Sequence, residues 1–100
     1  MGKLITSPVE RFPGEVTLID PVPYPEFIEW EKAIDGLDNL ESGQAQYTMF
    51  EAVRLMVEKW DIANFDITNP PATPRTAVVQ LLAWLIDEVG RVINGTDPNA

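Results

Sequence analysis

The sequence predicts a mainly helical α+β domain, an N-terminal β-hairpin packed on three helices. Three observations carry this. The first nineteen residues are rich in β-formers and are broken by a Phe-Pro-Gly turn signal. Three later stretches space their apolar residues at helical intervals. Prolines stand between the segments, where a helix starts or a connection must be stiff. A chain of 100 residues suits a single domain, expected over residues 1–100.

The hairpin is expected over about residues 3–19. Val16 and Leu18 alternate with Glu15, Thr17 and Ile19, the period of a half-buried strand. Pro13 presets φ for the second residue of a turn, and Gly14 accepts positive φ at the third. Together they predict a type II turn. Pro8 lacks an N–H, which makes the first strand an edge or bends it there. A lone hairpin is marginal in water, so this one must pack on helices or add to a sheet elsewhere.

Three prolines between Pro21 and Pro25 stiffen the next link. Helix one is expected over about 25–40, with Pro25 at its first position. Phe27, Trp30, Ile34 and Leu37 form its apolar stripe. The polar stretch around Gly43 reads as a loop. Helix two is expected over about 45–60, with Met49, Val53, Met56, Val57 and Trp60 on its inner face. Glu51, Arg54 and Glu58 fall on the solvated side. Prolines 70, 71 and 74 forbid regular helix in the segment that follows helix two, with Pro74 at the first position of helix three, and Phe65 and Ile67 are expected to peg that segment to the core.

Helix three is expected over about 74–94, with Thr73 as its N-cap and Asn94-Gly95 ending it. The tail 95–100 is expected to be loose. From Ala77 to Ile86 only Gln80 is polar. A membrane span needs about 20 apolar residues, and Asp87, Glu88 and Arg91 follow this shorter run at once. On a helical wheel Thr76, Gln80, Ala83, Asp87, Arg91 and Asn94 share one narrow strip. Val78, Leu81, Leu82, Leu85, Ile86, Val89, Val92 and Ile93 fill a wide arc, with Trp84 at its edge. Two readings stand open. The rest of the fold buries the whole arc, or part of it docks a partner. On the second reading Leu82, Trp84, Leu85, Val89 and Val92 are the partner-binding residues.

Sixteen acids against seven bases give a net charge of -9. Asp20, Glu26, Glu29, Glu31, Asp35, Asp38 and Glu41 face only Lys32, so residues 20–41 hold -6 of it. Contact with nucleic acid or an anionic bilayer works against that charge. The chain has no cysteine and no histidine. Disulfides, thiolate metal sites and Ser-His-Asp or Cys-His catalysis within the chain are thereby excluded. Asp35–Ser42 departs from the calcium-loop pattern, because Gly36 stands second and the even spacing of ligands is broken. No cofactor, metal or catalytic residue is expected.

Two units carry a resemblance. One is "PGEVTLIDP", Pro13–Pro21, with Pro25 leading the first helix. The other runs from Trp60 through "PATPR", Pro71–Arg75, to "LLAWLIDE", Leu81–Glu88. Together they resemble the small tail assembly chaperones of long-tailed, siphovirus-type bacteriophages. The resemblance implies a non-enzymatic protein of the infected host's cytoplasm. Its implied partners are the tape measure protein and the tail tube protein, held soluble until the tail polymerises. Self-association is left open.

Two other classes compete. An acidic mimic of DNA would inhibit a host DNA-binding protein through a row such as Glu31, Asp35 and Asp38. A structural connector of the virion would extend a neighbour's sheet with its hairpin.

Overall fold

The computed structural model describes residues 2–71 and 73–96, save the side chains of Ser42 and Thr96. Three strands form one antiparallel sheet in the order β1-β2-β3: β1 (Gly2–Thr6), β2 (Gly14–Ile19) and β3 (Val57–Ile62). Three helices complete it: α1 (Tyr24–Gly36), α2 (Ser42–Leu55) and α3 (Arg75–Thr96). A 3-10 turn, Leu37–Asn39, follows α1. The α+β class and the N-terminal hairpin agree with the sequence reading. The third strand departs from it.

The departure has a physical cause. Val57 and Trp60 are three residues apart, a helical spacing, which on sequence alone extends helix two to Trp60. The helix in fact stops at Leu55, where the Met56 amide turns back to the Val53 carbonyl at 2.8 Å. The β2–β3 register shifts between Thr17 and Leu18, so that Leu18 pairs with Val57 and Thr17 with Lys59. Glu58 is the extra residue of a bulge. Val57, Trp60 and Ile62 therefore lie opposite Leu18, Val16 and Gly14, all on one face of the sheet.

The hairpin turn is also displaced. The Phe12 amide donates to the Val9 carbonyl at 3.1 Å, which closes the turn over Val9–Phe12 and not at Pro13-Gly14. Gly14 does take positive φ, at 137°, for a different reason. A Cβ there would collide with the Asp61 carbonyl oxygen and lie 2.9 Å from the Ile62 Cα. Pro13 offers its carbonyl to the Ala63 amide at 2.8 Å, so this corner is fastened to the end of β3.

Helix starts shift by small amounts. The Pro23 carbonyl accepts from Phe27, the Glu41 carbonyl from Ala45 and the Pro74 carbonyl from Val78. Pro74, rather than Thr73, thus holds the cap position of α3, and α2 begins before the expected Ala45. On α1 Trp30 is buried, and Ala33 and, in the turn that follows, Leu37 pack partly buried beside it, while Ile34 is 42% exposed, a rotation away from the expected stripe. Gly95 lies inside α3, and residues 97–100 of the expected loose tail fall outside the described residues.

The core is one cluster shared by sheet and helices. Ile5, Val16, Leu18 and Ile62 bring the inner face of the sheet to it. Met49, Phe50, Val53 and Met56 come from α2 and its end, and Leu81, Leu82, Leu85, Val89 and Val92 from α3. Full burial of a leucine such as Leu81 or Leu85 is worth about 1.5–3 kcal/mol. The segment after β3 is pegged as expected. Phe65 is buried, with ring centroids 5.1 Å from Phe12, 5.4 Å from Phe50 and 5.6 Å from Trp60, and Ile67 packs on the core. An ion pair of 3.9 Å, Lys3 to Glu88, ties β1 to α3.

Candidate docking surface on the second helix

The wide apolar arc of α3 is core. Leu82, Leu85, Val89 and Val92 are buried, and Trp84 is half-buried against the same cluster. In this fold four of the five expected partner-binding residues are covered by the chain itself. The sheet, enlarged by β3, supplies the cover that a hairpin and two helices lack. The narrow strip of Thr76, Gln80, Ala83, Asp87, Arg91 and Asn94 is exposed throughout, as its composition requires.

The exposed apolar surface lies elsewhere. α2 is in contact with α1 on one side and α3 on the other. Its buried side takes Met49, Ala52, Val53 and Met56. On its outer side Tyr47, Glu51 and Leu55 are exposed at intervals of four residues, with Tyr47 at 64% and Leu55 at 46%. This spacing sets them one above another along a ridge.

A hollow flanks the ridge on each side. One, of about 210 Å³, lies between α2, the Pro70-Pro71 segment and the start of α3. Tyr47, Phe50, Pro70, Pro71 and Val78 give it apolar walls, and among the described residues Arg75 is its one charged lining residue. Phe50 is also part of the ring cluster around Phe65, so this wall is rigidly backed. The other hollow, of about 500 Å³, lies between α1 and α2. Ala33, Ala52 and Leu55 supply its apolar surface. Glu29, Lys32, Glu51 and Arg54 supply charges of both signs, and Lys32 pairs with Glu29 at 3.5 Å.

The loop beside the first hollow is held locally. Asp66 accepts from the Thr68 hydroxyl at 2.6 Å and the Thr68 amide at 2.9 Å, an Asx turn closed by the Asn69 amide on the Asp66 carbonyl. The Thr68 side-chain hydrogen bond, helped by its amide and by Arg54, holds the Asp66 carboxyl below its usual value. Trp60 Nε1 donates to the Phe65 carbonyl at 2.8 Å.

The charges are arranged for solvent. Glu29, Glu31, Asp35, Asp38 and Glu41 are exposed. Arg91 bridges Asp87 at 3.0 Å and Glu88 at 3.1 Å. Among the described residues no group of three or more carboxylates is placed to hold a metal ion, and no helix is long and apolar enough to cross a membrane. What the surface offers chemically is apolar contact along a helix, flanked by Arg75 on one side and by charges of both signs on the other. Comparison of the chain with protein-family models, with curated proteins and with solved structures finds no match.

Two helices pack when the ridge of one enters the groove of another. The α2 ridge, with a groove on either side, has the form that receives an amphipathic helix. Its signal in the sequence is the pair Tyr47 and Leu55, both off the Met49–Val53–Met56 face.

Proposed function

We propose that the chain is a non-enzymatic assembly chaperone of a long phage tail. It holds the tape measure protein, and/or the tail tube protein, soluble in the cytoplasm of the infected host before the tail polymerises. The observation that carries the reading is the exposed ridge Tyr47–Glu51–Leu55 between two hollows. A long helical client exposes apolar stripes that aggregate unless covered. A stripe of that kind docks by laying its apolar side chains into grooves beside a helix. The exposed acids of residues 20–41 keep the complex in solution through a strong net charge.

The experiment is co-expression of the chain with the tape measure protein of the same tail. The soluble fraction of the client and its retention on the tagged chain are measured at low and high salt. Apolar docking predicts retention that persists at high salt. Retention of a DNA-binding protein, lost with salt, would instead favour the acidic mimic. That second reading draws on Glu31, Asp35 and Asp38, which are all exposed.

A further inference from the structure

The sheet has two outer edges, and they differ. Towards β2, antiparallel bonding alternates along β1. The Ser7 amide donates to the Gly14 carbonyl at 2.9 Å, so Ile5 and Lys3 also bond towards β2. Gly2, Leu4 and Thr6 then turn their main-chain groups outward, and no other group among the described residues meets them. Leu4 is 60% exposed on the outer face. The β3 edge carries Glu58, Lys59 and Asp61 and the bulge, the devices by which an edge resists pairing. β1 itself has no bulge and no carboxylate, although the Glu58 carboxylate reaches over the outer face of the sheet to about 3.0 Å from where a Cβ of Gly2 would stand.

We propose that the β1 edge pairs with the β1 edge of a second copy of this chain, antiparallel about Leu4, to make a six-stranded sheet. The strand is self-complementary in this register. Leu4 meets Leu4 of the copy, Gly2 meets Thr6, and Lys3 meets Ile5. Each outward N–H and C=O finds its equivalent. Extending the observed β1–β2 pairs outward, Glu15 lies in a row with Thr6, then Gly2 and Ile19 of the copy. Thr17 lies in a row with the two leucines. The Glu15–Thr6 row meets Gly2 of the copy, over which the copy's Glu58 carboxylate lies, so the pairing is expected to strengthen as salt screens these acids. Lys3, the one charge of β1, is already paired with Glu88. The interface is short, so the dimer forms reversibly with concentration.

The test is sedimentation equilibrium on the full chain over a wide concentration range, with amide hydrogen exchange at low and high concentration. The expected mass rises from 11.2 kDa towards twice that value, and the Leu4 and Thr6 amides exchange at least tenfold more slowly at high concentration. Leu4→Lys places a polar side chain at an exposed position and sets two cations on the axis. It is expected to stay monomeric with an unchanged circular dichroism spectrum. A wild-type chain that is monomeric throughout overturns the proposal. So does a dimer that survives Leu4→Lys, or one in which the Leu4 and Thr6 amides stay unprotected.

Discussion

The indole N–H of Trp60 donates to the main-chain carbonyl of Phe65 at 2.8 Å, joining the last strand to the loop that walls the first hollow. The two rings also touch, at 5.6 Å between centroids. Trp60→Phe keeps an aromatic ring and removes the donor. It is expected to lower stability by about 1–3 kcal/mol, the cost of a half-buried carbonyl left without its partner. Phe65→Ala removes the centre of the ring cluster and is expected to cost about 3–5 kcal/mol. Urea unfolding followed by tryptophan fluorescence measures both.

Two glycines should respond to alanine with opposite signs. At Gly14 φ is 137° and a Cβ would strike the Asp61 carbonyl. Gly14→Ala is expected to destabilise by at least about 1–3 kcal/mol. Gly90 lies within α3, with open space where a Cβ would stand. Gly90→Ala is expected to stabilise by roughly 1 kcal/mol, the helix-propensity difference. Thermal melts of the two variants beside the wild type read the contrast directly.

Glu15 and Asp61 are register partners on the outer face of the sheet, both exposed. Like charges directly opposite weaken a strand pair. Asp61→Lys turns the pair attractive and lowers the net negative charge. A gain of about 0.2–1 kcal/mol is expected at low ionic strength, shrinking as salt is added. Denaturant midpoints at two salt concentrations check it.

The turn at Asp66 should open on acidification. Its carboxyl is held below the usual range first by the Thr68 hydroxyl. A carboxylate with a depressed folded value contributes its stabilisation above the unfolded value of about 3.9 and loses it as pH falls through the folded value. The Thr68 amide resonance should therefore titrate with a midpoint below about 3.9. Asp66→Asn should abolish that titration.

These sites are unequally legible in the sequence. The exposed strip of α3, Thr76 to Asn94, stands out because a helix that is polar on so little of its surface must be central. The extent of its cover does not, because β3 is hidden. The Glu58 bulge gives Val57 and Trp60 a helical spacing while putting both on one face of the sheet. With that strand read as helix, too little of the chain remains to bury Leu82, Leu85, Val89 and Val92, and they take on the look of a partner surface. Gly14 is recognisable as needing positive φ, but the close approach that requires it involves Asp61, far away in sequence. The α2 ridge depends on which of the helix's faces the core takes. Only the packing of α1 and α3 on either side decides that.

The most direct test of the docking surface is a chemical-shift map of the labelled chain titrated with a helical peptide from the tape measure protein. Perturbations centred on Tyr47, Glu51 and Leu55, and lost in the Tyr47→Ser/Leu55→Ser variant with its fold intact, are the predicted result. Perturbations centred on the exposed strip of α3, or binding unchanged in that variant, would contradict it.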